Sequence, residues 1–314
     1  MLMEANNAGI IGVGEKDITS TVGRTPLLCI EGIHAKLEAY NPTGSVKDRM
    51  ACYMLKRAEE RGELQPGSRI FEATSGNTGI AFAMLSAARG YSFTAVMPEG
   101  MSIERRQMLE VFGAEIVLTP EEDGMSGAVL HMEKLKRQYP AAWFPDQFAN
   151  PDNIEAHERG LGAEIVDKFG GHVDAFVAGA GTGGTLIGVA KALKKVNPNV
   201  RIIAVEPFES QVINGRTPGV HGIQGIGEGF IPRIVYDNRH LIDDIIAVKT
   251  TEAISEAKRL CGRHGIFVGI SAGSNIFAAK QVAVKYKYVV TVLPDRGERY
   301  LSEWCFSKRP EPVP

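Results

Sequence analysis

Short runs of near-continuous Val, Ile, Phe and Ala alternate along this chain with stretches in which apolar residues recur every three or four positions. "SRIFEA" precedes "GIAFAMLSAARG", and "SFTAVMP" precedes "SIERRQMLEVFG" and "AEIVLTP". Further on, "VDAFVAGAG" precedes "GTLIGVAKALKKV" and "VRIIAVEP", and "KYVVTVLPD" follows the helical "SNIFAAKQVAVKY". Strands that are apolar on both faces and separated by helices belong to parallel sheets covered on both sides. The pattern predicts an α/β protein with two open, mostly parallel twisted sheets covered by helices. The stretch "WFPDQFANPDN" (Trp143 to Asn153), rich in Pro, Asn and Asp, predicts a boundary between two such units. Ligands of open sheets sit in the cleft that such a boundary makes.

Composition adds exclusions. At 314 residues the length suits about two domains, and 44% hydrophobic with 23% charged residues is ordinary globular usage. A formal charge of −2 gives no electrostatic reason to expect nucleic acid or anionic membrane as a partner. Cys29, Cys52, Cys261 and Cys305 stand far apart with no CxxC pair. They read as reduced, mostly buried thiols of a cytoplasmic protein, with no metal site and no disulfide framework. The start, "MLMEANNAGIIGVGEKD", lacks the basic opening and apolar core of a signal peptide, and no run approaches a membrane span.

Four loops could carry chemistry. In "NPTGSVKDRM" (Asn41 to Met50), Ser45 and Asp48 stand three apart before a helical pattern that Gly62 ends, the spacing of a variant capping box. Most lysines near a helix start are solvated charges. This start, however, fixes Lys47 in the first turn, where the helix dipole disfavours an ammonium and favours a nucleophilic amine. "EATSGNTG" (Glu72 to Gly79) follows a strand and opens a helix, and Thr74, Ser75, Asn77 and Thr78 stand beside free N–H groups there. An ordinary N-cap needs one polar residue, whereas this cluster suits an anion such as a carboxylate.

"GAGTGGT" (Gly179 to Thr185) matches G-x-G-x-x-G at Gly179, Gly181 and Gly184, with Glu206 about twenty residues further on. One reading is a dinucleotide fingerprint. Its position past mid-chain and the hydroxyls of Thr182 and Thr185 favour a compact phosphate monoester. A glycine turn for close helix–strand packing is the plain structural alternative. In "GIFVGISAGSN" (Gly265 to Asn275), Ser274 reads as an N-cap and Ser271, nearer the strand end, as a candidate ligand contact. A lysine amine, a monophosphate cradle, a carboxylate loop and a lone serine together point to an amino-acid enzyme using pyridoxal 5'-phosphate.

These segments resemble a known family. "TPLL", "KLEAYNPTGSVKDR", "GELQPG", "EATSGNTG", "MPEGMSIERR", "GAEIVLTP", "DQFANPDN", "GAGTGGTLIGV", "IQGIGEGFIP", "GISAGSN" and "LPDRGERYLS" are similar to the cysteine synthase (O-acetylserine sulfhydrylase) and cystathionine β-synthase branch of fold-type II pyridoxal-phosphate enzymes. The resemblance covers almost the whole length. It implies that Lys47 bonds the cofactor and then serves as general base. Asn77 would meet the ring hydroxyl, Ser271 the ring nitrogen, and Gly181, Thr182, Gly183, Gly184 and Thr185 the phosphate. Thr74, Ser75, Gly76, Thr78 and Gln147 would bind the substrate carboxylate. A serine at the ring nitrogen makes the ring a shallower electron sink than an aspartate would, which favours prompt β-elimination.

The implied reaction makes L-cysteine from O-acetyl-L-serine and sulfide through an aminoacrylate intermediate. The implied division is a smaller mobile domain of residues 38–150 carrying the carboxylate loop, with residues 1–37 and 151–314 forming the larger domain that carries the phosphate loop. A homodimer, and a serine acetyltransferase docked in the cleft, belong to the same expectation. Within the branch, "IQGIGEGFIP" and the ending soon after "LPDRGERYLSEW" look more like cysteine synthase than cystathionine β-synthase. Cystathionine β-synthase-type or O-phosphoserine-using β-replacement, and more distantly a dinucleotide-binding protein, are the alternatives. Arg216 and Arg233 lie near "FIP" but form no basic cluster that would favour a phosphorylated substrate. His157 and His221 read as structural. Between "TPLL" and "KLE" the chain carries only "CIEGIHA", several residues fewer than the family usually has, which bears on the first hairpin and the dimer edge. Arg296 replaces a residue that is often small and is expected to alter the charge of the cleft.

Overall fold

The structure is a computed structural model that describes residues 17–74 and 76–302. Its larger sheet has the order β1 (Leu27–Ile30), β2 (Ile33–Leu37), β9 (Val289–Leu293), β6 (Ala175–Gly179), β7 (Arg201–Pro207) and β8 (Asp244–Val248). Only the β1–β2 pair is antiparallel. A smaller parallel sheet holds β3 (Arg69–Ala73), β4 (Ser92–Pro98) and β5 (Glu115–Thr119). The α/β class with parallel-rich sheets is as the hydrophobic pattern predicts.

The apolar strands are explained by helices on both faces. On one face of the larger sheet α9 (Thr250–His264) and α10 (Ile270–Ala283) bring Leu260, Ile270 and Ile276 against Val177, Ile203 and Val205. On the other, α6 (Ala163–Phe169) and α7 (Gly184–Val196) bring Ile165, Leu186 and Leu193 against Phe176, Ile202 and Val290. Thr291, buried in the middle of β9, donates to Val177 O at 2.7 Å, so its hydroxyl is not stranded in the core. The smaller sheet packs α1 (Lys47–Glu60) and α2 (Asn77–Arg89) on one side and α4 (Gly124–Gln138) on the other.

The shortened first hairpin closes directly: Leu27 pairs with Lys36 and Ile30 with Ile33, leaving Glu31 and Gly32 as a two-residue turn. Their φ values, 51° and 84°, are the positive pair that a type I′ turn requires. The cysteines correct one expectation. Cys29 is exposed, and Cys52 and Cys261 are half-buried, all with free thiols, while Cys305 lies outside the described residues. No helix among the described residues is long and apolar enough to cross a membrane.

A buried ion cluster holds α1 to the larger sheet. Arg49 Nε donates to Glu38 Oε2 at 2.5 Å and its Nη1 to Glu164 Oε1 at 2.6 Å, while Lys36 Nζ meets Glu164 Oε2 at 2.6 Å. Burial alone would raise the Glu164 carboxyl, but its hydrogen bonds and the Arg49 charge outweigh that and hold it at about 2. A depressed carboxylate stabilises the fold above its unfolded value, near 4.5, and the gain is lost as pH falls toward 2. Glu164→Gln should therefore cost about 1–3 kcal/mol at pH 7, discounted for the partial exposure of Glu164. The gap between its melting temperature and that of the wild type should close between pH 4.5 and 2. A gap that stays constant over that window would contradict the assignment.

Candidate active site

The loops that follow β3, β6 and β9 all leave the carboxyl ends of parallel strands, where open sheets gather their ligand contacts. A fourth segment, the start of α1, is drawn onto the same end. Val46 N donates to Pro294 O at 2.8 Å, and Ser45 pairs with Asp295 as an isolated antiparallel bridge. Lys47 is thereby placed beside the end of β9 although it precedes that strand by more than two hundred residues.

One cavity results. From the sequence candidates it brings together Lys47, Asn77, Thr78, Gln147, Gly181, Thr182, Gly183, Thr185 and Ser271. Thr74, Gly76 and Gly184 are not among its lining residues, and Ser75 lies outside the described residues. The Lys47 amine has no hydrogen-bond or ion-pair partner among the described residues. Burial pushes it below the usual lysine value, and the charges of Glu228 and Asp295 only partly oppose this. An amine that is easily kept neutral at a cavity wall is the form needed for covalent attachment and proton removal.

The glycine loop is a close-packed cradle. A Cβ on Gly181 would sit 2.3 Å from Gly225 O, and one on Gly184 would sit 1.9 Å from Asn153 Oδ1. Among the described residues the N–H groups of Gly181, Thr182 and Gly183 find no protein acceptor, and they stand at the positive end of α7. Three free donors, threonine hydroxyls and no room for side chains fit a phosphate monoester. Asn153 Nδ2 supports the loop by donating to Thr182 Oγ1 at 3.0 Å. His157 Nε2 lies 3.3 Å from Thr185 Oγ1. Burial, with the nearby charges of Lys47 and Arg49, holds its imidazole well below the ordinary value, so it is a neutral partner of the loop. His221 bonds locally, with Nε2 2.8 Å from Gly227 O.

The second loop divides its labour. Thr74 Oγ1 accepts from Gly76 N and Gly79 N, both at 3.0 Å, so this hydroxyl caps α2. Thr78 Oγ1 donates to Gln147 Oε1 at 2.6 Å, and Gln147 Nε2 donates to Ala73 O at 2.7 Å, which fixes both at the cavity wall. Asn77 is held from both ends: its Nδ2 donates to Asp295 Oδ2 and its Oδ1 accepts from Arg299 Nη1, each at 2.6 Å. Asp295 also accepts from Tyr300 OH at 2.6 Å. Ser271, second residue of α10, makes no side-chain hydrogen bond among the described residues, which leaves its hydroxyl for a ligand.

Three expectations about these segments are corrected. Asp48 does not reach back to Ser45; its carboxylate accepts from the N–H and hydroxyl of Thr43, and only Ser45 Oγ takes the Lys47 N–H, at 3.2 Å. Ser274 is not an N-cap, because α10 begins at Ile270 with Gly269 before it, and Ser274 lies inside the helix. Arg296 does not face the cavity; its Nε donates to Ala39 O at 2.7 Å and its head is exposed. Glu206, the acidic residue of the dinucleotide reading, is also turned away, accepting from Ile213 N at 2.9 Å.

The residues not anticipated are Arg105, Gln224, Glu228 and Asn275 in the cavity wall, with Asp295 and Arg299 behind Asn77. "IQGIGEGFIP" and "LPDRGERYLS" mark the segments of four of them, without indicating which side chains turn inward.

Residues 18–295 match the family described as pyridoxal-phosphate dependent enzyme. The chain is 46% identical over 303 residues to a cysteine synthase of Staphylococcus aureus, covering 93% of this chain and 97% of that protein. Its fold matches a cysteine synthase of Entamoeba histolytica with a TM-score of 0.89 and 38% identity, covering 100% of this chain and 96% of the other. An O-acetylserine dependent cystathionine β-synthase of Helicobacter pylori matches with a TM-score of 0.88 and 36% identity, over 92% and 98% of the two chains. The chain belongs to the cysteine synthase family of pyridoxal-phosphate dependent enzymes.

Proposed function

We propose that this protein makes L-cysteine by replacing the acetoxy group of O-acetyl-L-serine with sulfide. The observation that carries the reading is the convergence, in one cavity, of a buried lysine amine, a phosphate-fitting glycine loop and the Thr78–Gln147 pair. Lys47 would hold the cofactor covalently, the loop from Gly181 to Thr185 its phosphate, Asn77 its ring hydroxyl and Ser271 its ring nitrogen. Pyridoxal phosphate, when bound, supplies the electron sink for the charge left at the substrate Cα.

The chain's own residues supply the rest. Thr78 and Gln147 orient the substrate carboxylate, with the loop that Thr74 caps. Lys47 Nζ, once free, takes the Cα proton as general base. Acetate then leaves from Cβ with the C–O electron pair, the C–S bond forms from HS⁻, and Lys47 Nζ returns its proton to Cα, so charge balances without a further proton. Asp295 and Arg299 hold the Asn77 amide so that its remaining N–H can face the ring. Residues 38–150, which carry β3, β4 and β5, would close on the bound carboxylate and exclude water. A homodimer in the cytoplasm, with serine acetyltransferase as a docking partner, is part of the same proposal.

Holoenzyme incubated with O-acetylserine and sulfide should release cysteine and acetate in equal amounts. Acetate without cysteine, or neither, would overturn the reading. Gln147→Ala should raise the KM for O-acetylserine roughly 10- to 100-fold with a smaller change in kcat, as expected for one or two lost hydrogen bonds to a charged group. An unchanged KM in initial-rate measurements would remove Gln147 from carboxylate binding.

A further inference from the structure

The residues proposed to take the substrate carboxylate carry no charge of their own. From Thr74 to Gly79, and at Gln147, every side chain is neutral. A carboxylate that leaves water for an enclosed cavity loses hydration that neutral donors only partly replace. Among the lining residues only Lys47, Arg105 and Glu228 are charged. Lys47 is committed to the cofactor and to the Cα proton, and works as a neutral amine, so it offers no lasting counter-charge. Arg105 remains.

This arginine lies on α3 (Ile103–Val111) and is 2% exposed. Its contacts are neutral: Nη1 donates to Gln224 Oε1, and the guanidinium lies 4.9 Å over the Tyr300 ring. Nε is buried with no partner among the described residues. Glu228 feels the guanidinium charge but forms no ion pair with it. A buried cation in this state is costly, and the cost is recovered when a ligand brings it an anion. The arginine stem indicates which anion. A Cβ on Gly76 would fall 2.4 Å from Arg105 Cδ, so the bare backbone of Gly76 lets the stem lie against the carboxylate loop. The phosphate cradle has its own free N–H donors at the start of α7 and shares no hydrogen bond with Arg105 among the described residues.

We propose that Arg105 determines specificity for the amino-acid donor, its guanidinium supplying the positive charge that the substrate carboxylate meets at the Gly76 side of the loop. The proposal rests on the β-replacement reading and adds the counter-charge that Thr78 and Gln147 lack.

The test compares O-acetyl-L-serine with O-acetyl-L-serinamide, the same donor with its carboxylate made neutral, using holoenzyme and saturating sulfide. Wild type should prefer the carboxylate donor by about 10²-fold or more in kcat/KM, the scale of several charge-assisted hydrogen bonds. Arg105→Met keeps an apolar stem against Gly76 and should cut that preference about tenfold, mainly through the KM for O-acetylserine. Arg105→Lys should restore most of it. Gln224→Leu removes the neutral acceptor and keeps the charge, so the preference should persist whatever the overall rate. A loss of preference in Gln224→Leu equal to that in Arg105→Met would make Arg105 a support for Gln224 and overturn the assignment. So would a preference unaltered in Arg105→Met, or a loss confined to pyridoxal phosphate affinity in a fluorescence titration. Absence of cysteine from O-acetylserine in the wild type would instead overturn the β-replacement reading itself.

Discussion

Lys47→Ala is expected to fold normally and to lose β-replacement by roughly 10³-fold or more, within or beyond the range of a lost general base. The other charged groups on the cavity wall cannot substitute. Arg105 is bound to Gln224, and Glu228 carries a carboxylate, ordinarily a far weaker base than a neutral amine. Stability should move the other way. The amine has no partner among the described residues and is held below its usual pKa by burial, so its removal relieves a desolvation cost. Circular dichroism and thermal melts should match or exceed the wild type while turnover collapses. Turnover within tenfold of wild type would remove Lys47 from the reaction.

Gly181→Ala should produce the second largest effect, and it acts through a different wall. The added methyl meets the backbone oxygen of Gly225 at 2.3 Å, which no side-chain rotation can relieve. Either the phosphate loop or the segment ending in Glu228 must shift. Overpacking of this kind costs about 1–3 kcal/mol. Because the strain falls on the loop that supplies the free N–H donors, cofactor affinity should drop by about 10²-fold, which equals roughly 2.8 kcal/mol. A fluorescence titration of apoprotein with pyridoxal phosphate reads this directly. Wild-type affinity in the variant would show that the loop does not hold the phosphate.

Local pattern made part of this molecule legible. The near-continuous apolar runs became β6, β7 and β9 because helices cover both faces, and the loops Glu72–Gly79 and Gly179–Thr185 fell at the carboxyl ends of β3 and β6, whereas the Ser271 loop follows α9 with no strand before it. Roles within the loops were less legible, because they depend on where neighbouring backbone donors point. Thr74 looks as suited to a ligand as Thr78, yet the N–H groups of Gly76 and Gly79 capture its oxygen. Asp48 has capping-box spacing, but the N–H and hydroxyl of Thr43 take its carboxylate. The partners of Asn77 stand 218 and 222 residues away in the chain, a separation that no periodicity reports. Glu228 sits in a stretch without helix or strand period, so only the packing of Gly181 on Gly225 and of Gly227 on Ala180 shows that it faces the cavity.

The most direct test of the central claim is chemical. Holoenzyme reduced with borohydride, digested and read by mass spectrometry should carry the cofactor's mass on the peptide containing Lys47, and the Lys47→Ala variant should carry it nowhere. The cofactor's mass on a different lysine, or its absence from the wild-type digest, would contradict the account.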